Sequence, residues 1–92
     1  MNQNIKTKRL NLKWVQLKQK QQICVSNTLR IHYIRFVLEN NRKPNKTEKE
    51  FIIACAYMEL EEKEIFIAEN ELRKYFESRL VKYDASIKKL KF

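Results

Sequence analysis

The sequence predicts an all-α fold, a small bundle of three or four helices with a long first helix and no substantial β-sheet. The chain has no glycine and a single proline, Pro44, which excludes Asn-Gly hairpins and glycine helix caps. Apolar residues recur at helical spacing through most of the 92 positions. The only dense cluster of loop-forming residues surrounds Pro44.

Residues 1–8 are polar and read as a loose N-terminal tail. Over residues 10–40 nothing breaks a helix. Leu10, Trp14, Leu17, Gln21, Cys24, Thr28, Ile31, Arg35 and Leu38 follow a 4-3-4-3 spacing, one stripe of a long helix. Arg9, Lys13, Gln16, Lys20 and Asn27 fall on a different, polar face. The segment LRIHYIRFVL, residues 29–38, is apolar nearly all round, so a helix there needs cover on most sides. As a strand it would place Arg30 or Arg35 on each face, and helix is the better reading.

Residues 40–47 are the interhelical loop, because Pro44 disfavours helix at Lys43. Thr47 and Glu50 have capping-box spacing ahead of an apolar run, which starts the second helix near Glu48. Phe51, Ala54, Cys55 and Met58 form one of its faces, and Ile53, Tyr57 and Leu60 an adjoining one. The acids of EEKE, residues 61–64, are unfavourable at the negative end of a helix dipole, so the helix should stop or turn there. Ile65, Phe66 and Ile67 are β-prone and suit a short extended connector, although no Gly or Pro enforces a break. A third helix runs from about Asn70 to Leu90 with the stripe Leu72, Phe76, Leu80, Tyr83, Ile87 and Leu90. Phe51, Met58, Leu60, Phe76 and Leu80 are the expected core, with Trp14, Leu17, Cys24 and Leu38.

Residues 1–92 fit one helical domain, with a modest core for a chain this short. The formal net charge is +9. Residues 1–47 carry eleven Lys/Arg and one acid, residues 48–70 two Lys and seven Glu, and residues 71–92 seven Lys/Arg and three acids. Part of the excess can therefore be neutralised inside the fold. Cys24 and Cys55 make no disulfide framework, and neither a signal peptide nor a membrane-length apolar run is visible. A cytoplasmic protein with no membrane contact is expected.

No catalytic constellation emerges. His32 is the only histidine and has no acid suitably placed on its own helix, so a structural role is expected. Two cysteines and one histidine, scattered, do not supply a metal site, and a glycine-rich phosphate loop is impossible. A non-enzymatic protein is expected, with no cofactor, metal or small-molecule substrate.

Basic helix faces are the sharper candidates. Arg9, Lys13 and Lys20 share a face of the first helix. Lys74, Lys82 and Lys89 share a face of the third, with Lys88 and Lys91 close by, and Arg73 is a further candidate contact. Rows of this kind can follow a phosphate backbone and release its counterions. They predict a small DNA-binding or DNA-associated accessory or regulatory protein. The alternative is an interaction module, an adaptor or inhibitor, whose basic and apolar faces meet an acidic protein partner. A helix–turn–helix made of helices two and three has thin support. Its recognition helix would lead with Glu69 and Glu71, whose carboxylates oppose entry into a phosphate-lined groove. Finally, Leu29, Tyr33, Phe36 and Val37 should leave an apolar patch uncovered, which predicts a homodimer through the first helix.

Overall fold

The computed structural model describes residues 11–91, and it is all-helical apart from one isolated bridge. A single 3₁₀ turn, Trp14–Gln16, precedes α1, Gln19–Asn40; α2 spans Lys46–Glu62 and α3 spans Glu69–Lys91. α1 and α2 run antiparallel, with Cys24 beside Lys63, His32 beside Glu59 and Phe36 beside Cys55. α3 packs across both.

The first helix starts later than its spacing predicts. Leu12 instead forms a parallel bridge with Ile67: its N–H donates to Phe66 O at 2.8 Å and its carbonyl accepts from Ala68 N–H at 2.9 Å. Trp14 stacks on Tyr75 of α3, ring centroids 4.0 Å apart, and its N–H donates to the Glu71 carboxylate. Two glutamines then restart the chain, Gln16 Oε1 accepting from Lys13 N–H and Gln21 Oε1 from Lys18 N–H. Tertiary contacts and caps thus override a local helix preference of a few tenths of a kcal/mol per residue.

Without glycine, the chain ends its helices on other residues in the left-handed region. Asn41, at φ 58°, closes α1, its N–H donating to Val37 O at 2.7 Å. Glu64, at φ 61°, closes α2 in a Schellman arrangement: Ile65 N–H donates to Leu60 O and Glu64 N–H to Glu61 O. Ile65 and Leu60 are both buried there. The acidic run 61–64 does stop the helix, and residues 65–68 form the extended connector.

The start of α2 differs from expectation. The cap is Asn45, whose side chain accepts from Glu48 N–H at 2.8 Å while Glu48 reaches back to Asn45 N–H at 2.9 Å. Asn45–Glu48 and Thr47–Glu50 have the same spacing. Arg42 selects the first by gripping both Glu48 oxygens at 2.7 Å, and Arg73 draws Glu50 away toward α3.

The buried residues form one cluster: Val25, Leu29, Tyr33, Ile34 and Val37 of α1, Ile52, Ile53, Ala56 and Leu60 of α2, Ile65 and Ile67 of the connector, and Leu72, Phe76, Tyr83 and Ile87 of α3. Leu17, Leu60 and Phe76 are core as expected, while Trp14, Cys24 and Leu80 pack at its edge. Leu38, Phe51 and Met58 are not core; they are 49%, 69% and 64% exposed. Leu38 ends a seven-residue pattern that drifts about 20° per heptad on a straight helix. α2 is apolar on two adjoining faces, and its core face is the one with Ile53, Ala56 and Leu60.

Candidate functional site

Lys82, Lys88 and Lys89 project from the exposed side of the C-terminal half of α3, and none forms an ion pair with a described residue. Lys88 borders a cleft with Asn41, Arg42 and Lys43 from the loop after α1. Lys43 Nζ lies 3.2 Å from Asp84, so the loop is tied to α3 beside these lysines. Arg30 and Arg35 of α1 lie near Leu90 at the same end of the bundle, also without an ion-pair partner among the described residues. The C-terminal half of α1 and the end of α3 therefore meet at a cationic end, where Lys88 and Lys89, in the last turn of α3, complement the negative end of that helix's dipole.

The other sequence-identified cations are placed differently. Arg73 holds Glu50 through two bonds, Nη2–Oε1 at 2.7 Å and Nε–Oε2 at 3.1 Å, and touches Glu69 at 3.4 Å. Those hydrogen bonds raise the Arg73 pKa and lower that of Glu50. Arg73 is thus a tie between α2 and α3. Lys74 sits 3.7 Å from Glu71, whose own pKa is lowered first by the Trp14 N–H. The leading turn of α3 is therefore occupied by internal pairs, which removes the cations a recognition helix would present there. Lys13 is next to Glu71 in charge range, and Lys20 lies in the first turn of α1, both far from Lys82, Lys88 and Lys89. Arg9 lies outside the described residues.

Leu29, Tyr33, Phe36 and Val37 do not form an open surface. Leu29, Tyr33 and Val37 are core residues, covered by the chain's own α2 and α3, and Phe36 lies in a small hollow with Ile52 and Cys55 under the Arg42 guanidinium, 5.4 Å from its ring. α3 runs the length of the segment and supplies the missing cover. The apolar residues that stay open on this part of α1 are Ile31 and Leu38.

His32 Nε2 lies 2.9 Å from Glu59 Oε1, and Lys63 reaches the other Glu59 oxygen at 3.3 Å. The His32 hydrogen bond leads the causes that lower the Glu59 pKa. The partner comes from α2, 27 residues away, and spacing along one helix could not reveal it. Among the described residues no group of three His, Cys, Asp or Glu side chains could hold a metal ion, and no helix is long and apolar enough to cross a membrane.

Sequence reasoning missed Arg30, Arg35 and Lys43 as members of the cationic end. The available signal was that Arg30 and Arg35 interrupt an otherwise apolar segment. No family model matches the chain, and neither a curated protein nor a solved structure matches it.

Proposed function

We propose that this chain is a small non-enzymatic nucleic-acid-binding protein, a DNA-associated accessory or regulatory factor that holds phosphates with the exposed lysines of the C-terminal half of α3. The observation that carries this reading is the set of three exposed lysines, Lys82, Lys88 and Lys89, left without carboxylate partners among the described residues while Arg73, Lys74 and Arg42 are paired. Lys82 and Lys89 are two turns apart, about 10 Å along the axis, or about three nucleotide steps of a duplex strand. Long lysines on a helix suit phosphate contact without base selection.

The test is a titration against duplex DNA at several salt concentrations. Each neutralised phosphate contributes about −0.9 to the slope of log K against log salt. Replacing Lys82, Lys88 and Lys89 by Gln together should flatten the slope by about 2.7, whereas Lys20→Gln should leave it unchanged. No binding at ~50 mM salt, or a slope indifferent to the triple substitution, would sink the proposal.

A further inference from the structure

The open part of the LRIHYIRFVL segment carries an inference independent of the phosphate grip. Between the C-terminal half of α1 and the end of α3 lies a groove of about 460 Å³. Its floor is Ile34 and its walls are Ile31, Leu38 and Leu90, which are 48%, 49% and 62% exposed. Arg30 and Arg35 border the same groove and meet no carboxylate among the described residues; Glu39 is the one acid there. Ile31 and Leu38 are two helical turns apart, about 10 Å, the spacing that receives successive anchors of an amphipathic helix laid into a groove.

We infer that this groove docks an acidic amphipathic helix of a protein partner, with aliphatic anchors entering between Ile31, Leu38 and Leu90 and Asp or Glu side chains meeting Arg30 and Arg35. Charge selects this occupant. A second copy of the chain would bring another +9 body, cationic at the same end, against two unpaired arginines. An acidic helix supplies the carboxylate partners that Arg30 and Arg35 lack among the described residues. Apolar walls give affinity, and the arginines at the rim give orientation and discrimination.

The probe is a synthetic helical peptide of about 15 residues with leucines on one face and glutamates at the flanks, together with a twin carrying lysines instead. Both are titrated into the full chain while backbone amide resonances are followed by NMR. The glutamate peptide should shift amides of residues 30–39 and 88–90, and the lysine twin should not. Leu38→Ser should weaken binding by about tenfold or more. The double change Arg30→Glu and Arg35→Glu should reverse the preference between the peptides. This exchange involves only exposed side chains, so it decides the matter even if Leu38→Ser loses helicity.

Four outcomes overturn the inference: no shift at ~1 mM peptide, equal binding of both peptides, a chain that sediments as a dimer with these amides covered, or duplex DNA displacing the glutamate peptide from them. The dimer result would make the occupant a second copy, and the DNA result would make the groove part of the phosphate surface. Loss of DNA binding on changing Lys82, Lys88 and Lys89, with peptide binding intact, would support two separate surfaces.

Discussion

The Tyr33 hydroxyl donates to Asp84 Oδ1 at 2.7 Å, and Lys43 approaches the other oxygen of the same carboxylate at 3.2 Å. One carboxylate therefore joins α1, α3 and the Pro44 loop. Burial, reinforced by Asp84, pushes the Tyr33 phenol well above its usual range. Tyr83, whose ring is 5.7 Å from that of Tyr33, buries a hydroxyl with no hydrogen-bond partner among the described residues. Two neighbouring tyrosines should respond in opposite ways to loss of the hydroxyl. Tyr33→Phe strips a half-buried carboxylate of its donor and should cost about 2 kcal/mol, the worth of a hydrogen bond to a charged group. Tyr83→Phe removes an unsatisfied buried group and should be neutral, or stabilising by up to ~1 kcal/mol. Urea unfolding followed by circular dichroism measures both.

The two overlapping capping boxes make a second prediction. Asn45→Ala should destabilise by about 1 kcal/mol, and Thr47→Ala by only a few tenths at most, because only Asn45 caps α2. Thermal melts of the two variants rank them.

Acid should expose the same cap. Arg42, then the Asn45 N–H, holds the Glu48 carboxyl at about 2, below its ordinary 4.5. A folded-state pKa below the unfolded one gives stability that is complete above the unfolded value and is lost as pH falls through 4.5 toward about 2. Glu48→Gln should therefore lower stability at pH 7 and flatten its decline over that acid window. A decline as steep as in the parent chain would show that Glu48 does not carry it.

Glu64 bears a Cβ in the left-handed region and a negative charge at a helix C-terminus, both unfavourable. Glu64→Gly should stabilise the fold by about 1 kcal/mol, read as an increase in the urea midpoint with unchanged m-value. Glu64→Val, which is β-branched, should do the reverse.

The N-terminal segment has its own reporter in Trp14, the only tryptophan. Tyr75→Ala removes the stacked ring, worth about 0.5–1.5 kcal/mol beyond its buried area. Trp14 emission should move to longer wavelength while helical circular dichroism is largely retained. Unchanged emission would mean that Glu71 and the Leu12 bridge hold the segment without the stack.

The helical architecture was legible because it depends on local signals: absent glycine, one proline, and stripes such as Leu72, Phe76, Tyr83 and Ile87. The stop at residues 61–64 and the extended connector were legible for the same reason. The break at Leu17 and Lys18 was not, since it is set by Tyr75 and Glu71, far along the chain. Nor was the core face of α2, where apolar residues at Phe51 and Met58 compete with Ile53 and Leu60 and only the packing of α1 and α3 decides. For the candidate site, the basic row on α3 was visible in the sequence. Which of its members are free was not, because Glu50 and Glu71 claim Arg73 and Lys74 through contacts that spacing on α3 alone does not display. The patch Leu29, Tyr33, Phe36 and Val37 was misread for a related reason: a helix apolar all round reveals that it is covered, but not by what.

The bridge between Leu12 and Ile67 has a consequence for the order in which the molecule assembles. Its neighbouring contact, Trp14 N–H to Glu71, spans 57 residues of sequence, against 27 for His32 and Glu59. Loop-closure entropy disfavours the longer contact until the intervening helices have shortened the distance. On the ribosome the segment around Leu12 emerges well before its bridge partner Ile67 and before Tyr75. The earliest of the described residues to be synthesised should thus be among the last to find its place, closing over a helical hairpin already formed by α1 and α2.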